Sequence, residues 1–299
     1  MVRPASFGFN PETSNTILFQ REITENSRKE IERRARMEFD MLANRLRAAG
    51  VEIYIFEDQE DLATPDAVFP NNWVSFHDDG TVVLYPMFAP SRRPERRRDI
   101  IENLQASGFR VSRIVDLTPH ETNGRFLEGT GSVVFDHVER AAYATFSART
   151  HREVFRELCE VLRYKPVTFA AVNASGQEIK HTDMMVSIGD RFAIVCADAI
   201  PDAGERKIVL EGLRASGKEV ITIDQTQLLQ FAGNVLQLQT KPSGSALAIS
   251  TAACLALRPD QRQAVEKHAR IVESPLPLFE SIGGGSARCM MADVHLPRA

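Results

Sequence analysis

Phe126-Leu127-Glu128-Gly129-Thr130-Gly131-Ser132-Val133-Val134-Phe135 is followed by a turn and by the apolar run Arg140 to Phe146. Two such runs on either side of a turn predict a β-hairpin. Thr150 and Glu153, at the spacing of a capping box, then open a helix that buries Val154, Leu158 and Leu162. A strand near Pro166 to Val172 completes a ββαβ unit.

Working outward, the same plan recurs. On the N-terminal side, Val68-Phe69-Pro70-Asn71-Asn72-Trp73-Val74-Ser75-Phe76 turns at Asp78-Asp79-Gly80 and returns through Thr81 to Tyr85. Pro94 opens its helix, which ends near Gly108, and Arg110 to Val115 is its last strand. On the C-terminal side, His181-Thr182-Asp183-Met184-Met185-Val186-Ser187-Ile188 pairs with Phe192 to Cys196. Asp202 and Glu205 cap a helix reaching Gly217, and Glu219 to Ile223 follows as a strand. Gly233 to Leu238 pairs with Ala246 to Ser250, and a helix over Pro259 to Ala269 precedes an Ile271-Val272 strand. The first unit is less complete. Thr16 to Gln20 reads as a short strand, Glu25 to Ala49 as a helix with Ala35, Phe39, Leu42, Leu46 and Ala49 on one face, and Val51 to Phe56 as a buried strand.

The central positions of these openings, Asn72, Glu128, His181, Asn234 and Cys289, are separated by 56, 53, 53 and 55 residues. Repetition of a supersecondary unit at such a period points to stacked or radially arranged modules. The reading is one domain over residues 1–299, with modules at 14–57 plus 286–297, 68–116, 126–172, 181–224 and 233–273. The segment around Cys289 is expected to supply the strand pair that the first module lacks. Around a pseudo-fivefold axis the five central positions face a common centre.

That placement changes the weight of Gly283-Gly284-Gly285-Ser286-Ala287-Arg288-Cys289. Taken singly, Glu128 reads as a turn residue, His181 as a strand cap and Cys289 as core filling. Together they form the set that thiolate chemistry needs: a sulfur nucleophile, an imidazole to move its protons, and a carboxylate to orient the imidazole.

Composition bounds the alternatives. The 299 residues carry a formal net charge of −4, and the pI is near 6.0, so no general electrostatic attraction to nucleic acid is expected. The run Arg92, Arg93, Arg96, Arg97 and Arg98 reads as a solvated helix face. Cys159, Cys196, Cys254 and Cys289 show no CxxC spacing, which argues against a zinc site or a disulfide framework and favours a reducing cytoplasm. Met1 to Asn10 has no apolar signal core, and no run approaches the ~18 apolar residues of a membrane span.

Leu127-Glu128-Gly129, His181-Thr182-Asp183, Ser147-Ala148-Arg149-Thr150 and the glycine-rich approach to Cys289 resemble the guanidino-group modifying enzymes, the pentein superfamily. The resemblance covers essentially the whole chain. It implies a five-bladed α/β propeller, in agreement with the five modules. It also implies that Cys289 attacks the central carbon of a guanidino or ureido group, that His181 protonates the leaving amine and later activates water, and that Glu128 holds His181. Asp183, two positions from His181 and so on the same side of a strand, would bind the headgroup nitrogens. Neither a metal nor an organic cofactor is implied. The partner is a small amino-acid substrate, with no nucleic acid and no membrane; self-association into a homo-oligomer is left open.

Arg93 and Arg149 each lie 21 residues after their module's central position, a placement suited to clamping an amino-acid carboxylate. Arginine deiminases usually carry an aspartate where this chain has Asn71-Asn72. An amide can donate to a ureido oxygen, so the expected substrate is citrulline, hydrolysed to ornithine, ammonia and carbon dioxide. Arginine deimination, dimethylarginine hydrolysis and amidino transfer use the same three central residues and remain alternatives. A non-catalytic binding pentein lacks a reason to keep all three, and a papain-like protease places its cysteine early in the chain.

Overall fold

The computed structural model describes residues 1–13, 25–59 and 61–299. The N-terminus opens with β1 (Val2–Arg3), and α1 (Glu25–Ala48) leads to β2 (Phe56–Glu57), which pairs parallel to β1. The strand expected at Thr16 to Gln20 lies outside the described residues.

Four units follow the expected plan. β3 (Val74–Phe76) and β4 (Thr81–Leu84) are antiparallel, and β5 (Arg113–Asp116) adds parallel to β4 after α2 (Arg98–Ala106). The same order holds for β6 (Val134–Asp136), β7 (Ala141–Thr145) and β8 (Lys165–Phe169). It holds again for β9 (Val186–Ile188), β10 (Phe192–Cys196) and β11 (Glu219–Ile223), and for β12 (Leu236–Gln239), β13 (Ser245–Ser250) and β14 (Arg270–Ser274). Each middle strand is apolar and buried because the sheet on both its sides and the packed helices leave it no solvent face.

Two of the helices differ from expectation at their starts. Ahead of α2, Pro94 sits inside a 3₁₀ turn (Pro90–Glu95), where its missing N–H costs little, and the α-helix begins only at Arg98. For α4 (Arg152–Leu162) the cap is His151, whose ring accepts from the Glu153 N–H. Thr150 is not free to cap, since its hydroxyl bonds Ser132 Oγ at 2.8 Å. α5 (Ala203–Ala215) is capped as expected, Asp202 accepting from the Glu205 N–H at 2.8 Å.

The first unit departs most. Of Val51 to Phe56, only Phe56 enters a strand, because the chain beside it is the N-terminus and not a hairpin partner: Phe56 N–H donates to Met1 O and Asp58 N–H to Arg3 O. The Cys289 segment does not supply the missing strand pair. Residues 287–290 form a turn, with Met290 N–H donating to Ala287 O, and downstream Val294 bridges Phe76 of the second unit, running parallel to it. The α1 face is as read: Ala35, Phe39, Leu42 and Leu46 are buried against Val272, Leu276 and Phe279, while Ala49 is only half-buried. Among the described residues no helix is long and apolar enough to cross a membrane.

Candidate active site

The residues singled out from the sequence lie mostly on turns just before the first strands of their units. Asn71 and Asn72 belong to a 3₁₀ turn (Pro70–Asn72) ahead of β3. Glu128 precedes a single helical turn, α3 (Gly129–Ser132), ahead of β6. His181 precedes a 3₁₀ turn (Thr182–Met184) that contains Asp183, ahead of β9. His181 and Asp183 therefore do not share one side of a strand. The turns let polar side chains leave the ladder, where each backbone group would otherwise be committed to a neighbour.

Glycines allow the turns to approach one another. A Cβ on Gly131 would lie 2.5 Å from Asn72 Nδ2 and 3.1 Å from His181 Nδ1. A Cβ on Gly285 would lie 2.9 Å from the Phe69 ring and 3.2 Å from Cys289 Cβ. Neither position has room for a side chain.

Glu128 is fully buried. Its Oε1 accepts from the Phe88 N–H at 3.1 Å, and its Oε2 lies 2.7 Å from His181 Nε2 and 3.4 Å from Arg149 Nη1. Burial alone would raise this carboxyl. The charge of Arg149 and the hydrogen bond and charge of His181 outweigh it and hold the group far below the usual carboxylate range. An ionised carboxylate thus fixes the imidazole.

The cysteine stands against two other units. Asn234 Nδ2 donates to Cys289 Sγ at 3.2 Å, and Asp183 Oδ2 lies 3.5 Å from the same sulfur. Burial pushes the Cys289 thiol well above its ordinary value, and the Asp183 charge adds to this, against the Ser286 backbone N–H and the Asn234 amide, which favour the thiolate. Asp183 is itself buried and raised by that burial, with His181 and Arg288 opposing. Burial thus opposes a charge on either group, and the two stand side by side at 3.5 Å.

The hydrogen-bond inventory is incomplete in an informative way. Asn71 Nδ2 donates to Asp183 Oδ2 at 3.3 Å, and Asn71 Oδ1 and Asp183 Oδ1 are buried without a partner among the described residues. Asn72 Oδ1 accepts from Arg92 Nη1 at 2.8 Å, and Asn72 Nδ2 is buried without a partner among the described residues. Among the described residues, two acceptors and one donor at the site are thus unmet. Buried polar groups are rarely left in this condition without a ligand or water to meet them.

The two arginines expected to clamp a carboxylate do not sit alike. Arg149 is nearly buried, paired with Glu128, and its guanidinium lies 5.9 Å from the Phe88 ring centre. Arg93 is half-buried, paired with Glu121 at 3.2 Å, and its Nε donates to Met87 O at 3.4 Å. Its neighbour Arg92 is the one that reaches inward: it is buried, bonded to Glu95 at 2.9 Å and to Asn72. The basic run is accordingly not one solvated face. Asn234 was visible only as a repeat position, and nothing local marks it as the partner of the cysteine.

The fold has recognisable relatives. A family profile described as N,N dimethylarginine dimethylhydrolase, eukaryotic, matches residues 3–296. Compared by sequence with curated proteins, the chain finds no match. Among solved structures it resembles a variant of the N-terminal domain of ArgZ covalently bound to a reaction intermediate, at 17% identity over 99% of this chain and 98% of that one, with a TM-score of 0.73. It resembles AgrE in complex with ornithine and NAD+, at 18% identity over 100% of this chain and 39% of that one, TM-score 0.73. It also resembles a variant of dimethylarginine dimethylaminohydrolase in its adduct with S-methyl-L-thiocitrulline, at 17% identity over 87% and 88% of the two chains, TM-score 0.60.

Proposed function

The chain belongs to the N,N dimethylarginine dimethylhydrolase family, and from that premise we propose that it hydrolyses the guanidinium group of a free arginine-type amino acid through a covalent bond to Cys289. The observation that carries the cationic headgroup is the Asp183 carboxylate 3.5 Å from the Cys289 sulfur, with its other oxygen and Asn71 Oδ1 buried and unpaired among the described residues. A guanidinium presents only N–H donors, and its charge offsets that of Asp183. The same charge favours loss of the thiol proton, so the nucleophile forms when substrate is present.

The thiolate then adds to the guanidino carbon. His181, held by Glu128, donates a proton to the departing nitrogen, and ammonia or a methylated amine leaves. The resulting thiouronium is attacked by water that His181 deprotonates, the carbon–sulfur bond breaks, and a ureido product remains. Asn234 Nδ2 donates to the sulfur, and Arg149 fixes Glu128. We read the four ββαβ units with the terminal segments as the five blades of one propeller domain, which accounts for five turns converging on one site.

Citrulline is the second reading, favoured by the unpaired donor Asn72 Nδ2, which suits a ureido oxygen. The two are linked chemically, since the ureido product of one hydrolysis is the substrate of a second. ArgZ is described as an arginine dihydrolase from cyanobacteria, and a second attack here would carry arginine through citrulline to ornithine. Incubating the protein separately with arginine, dimethylarginine and citrulline and identifying the products tests the proposal. Turnover of either guanidinium substrate supports it. Turnover of citrulline alone supports the second reading and overturns the first, and no turnover of any overturns both.

A further inference from the structure

The strands that begin at the site run to an opposite end, and a cavity of about 460 Å³ lies along them. It is lined by residues of β3, β6, β9, β12 and the segment 291–296, and by none of Cys289, His181, Glu128 or Asp183. At its wall His137, Asp293 and His295 each offer one ligand atom, all within 4.8 Å of one another, the sole such group of three among the described residues. His137 follows the end of β6, and the other two flank Val294, whose bridge to Phe76 brings the C-terminal segment to the end of β3.

We propose that His137, His295 and Asp293 form a binding site for a divalent transition metal ion of the zinc class, separate from the hydrolytic centre. Two imidazoles and one carboxylate are the donor set of such ions, and a tetrahedral ion with ligands at about 2.0–2.1 Å needs donor atoms about 3.3 Å apart. His295 Nε2 and Asp293 Oδ2 are already 2.8 Å apart. His137 Nδ1 lies 3.0 Å from Tyr164 Oη, an oxygen that can accept a hydrogen bond from the Nδ1–H and so leave the Nε2 lone pair for an ion. The rings of His137 and His295 face one another with centres 4.0 Å apart, so a shared ion is reached when His295 turns. His295 is the exposed member, at 37% of its side chain. The ion displaces the proton now between His295 and Asp293, and the fourth position is left to water. Arg288, 3.7 Å from Asp293, lies beside the ion and weakens the site.

The experiment uses the full chain with Cys289→Ser, which removes the thiolate that would otherwise compete for the metal, and so reads the site independently of any hydrolase activity. Titration with cobalt(II) alone, followed by visible absorption and by calorimetry, is expected to show one equivalent bound with nitrogen/oxygen ligation. His295→Asn or Asp293→Asn in the same background should weaken binding about tenfold or more, and Tyr164→Phe about tenfold. Absence of saturable binding, or an affinity unchanged by His295→Asn in protein of unaltered circular dichroism, overturns the proposal.

Discussion

Replacing Asp183 by Asn should move two measurements in opposite directions. The carboxylate is 3.5 Å from Cys289 Sγ, so at an effective dielectric of about 20 its charge opposes that of a thiolate by about 5 kcal/mol. At 1.36 kcal/mol for each tenfold, full removal raises the thiolate fraction by roughly a thousandfold, and solvent and the retained amide dipole reduce this to between about tenfold and a thousandfold. Burial still opposes the thiolate, so the thiol does not become an ordinary exposed one. Iodoacetamide labelling of Cys289 near pH 8, together with ultraviolet titration of the thiolate, should therefore run faster and at lower pH in Asp183→Asn. Hydrolysis should fall. Losing a charge-assisted partner costs about 1.5–3 kcal/mol per hydrogen bond, so kcat/KM for a guanidinium substrate should drop by about a hundredfold or more. Citrulline, being neutral, should lose less. The side chains are nearly isosteric, so circular dichroism should not change. A labelling rate within about twofold of the unsubstituted protein, or an undiminished guanidinium kcat/KM, would refute the placement of Asp183 as the group that both restrains the thiol and receives the cation.

Asn234→Ala removes the donor to Cys289 Sγ and is expected to lower kcat by about 10²-fold with KM little changed, a split that steady-state kinetics reads directly. Glu128→Gln keeps the shape but leaves Arg149 and His181 without their counter-charge; kcat should fall by about 10²–10⁴, and a pH–rate profile of unchanged height would contradict the role. Arg92→Ala leaves Glu95 and Asp66 buried without their cation and should cost about 3–5 kcal/mol in denaturant unfolding, through its loss from the fold and not through contact with substrate. Glu38 is raised from 4.5 to about 7 by burial, against the Leu278 N–H that favours its charged form. A carboxyl with a raised folded value stabilises fully below the unfolded value and loses that contribution as pH rises to the folded one. Between about pH 4.5 and 7 the unfolding midpoint of the native chain should decline relative to Glu38→Gln, and parallel curves would exclude this origin.

Sequence periodicity carried much of the fold. β10 and β11 fall where a short apolar run and turn residues put them, because a buried middle strand must be apolar and its flanking turns need glycine or aspartate. The α1 face was legible for the same reason, one apolar side meeting one core. Local chemistry misled where a residue had two uses. Thr150 reads as a cap, yet its hydroxyl is taken by Ser132, and Pro94 reads as a helix start, yet it lies in the 3₁₀ turn before it. These outcomes depend on partners distant in sequence.

Residue types and spacing alone marked Cys289, His181 and Glu128 as a set, since a constant period of 53 to 56 residues makes their positions equivalent whatever lies between. Which neighbours they have was decided only by the folded chain. Asn234 on the sulfur, Arg149 on Glu128 instead of at a free clamp, and Arg92 rather than Arg93 turned inward are set by backbone turns and glycine contacts between units. The direction of each Asn amide follows from the same neighbours: Asp183 takes the Asn71 donor and Arg92 the Asn72 acceptor. Periodicity assigns a residue to a place in a repeat, but hydrogen bonds and charge interactions act over a few ångströms, and only tertiary packing brings residues that close.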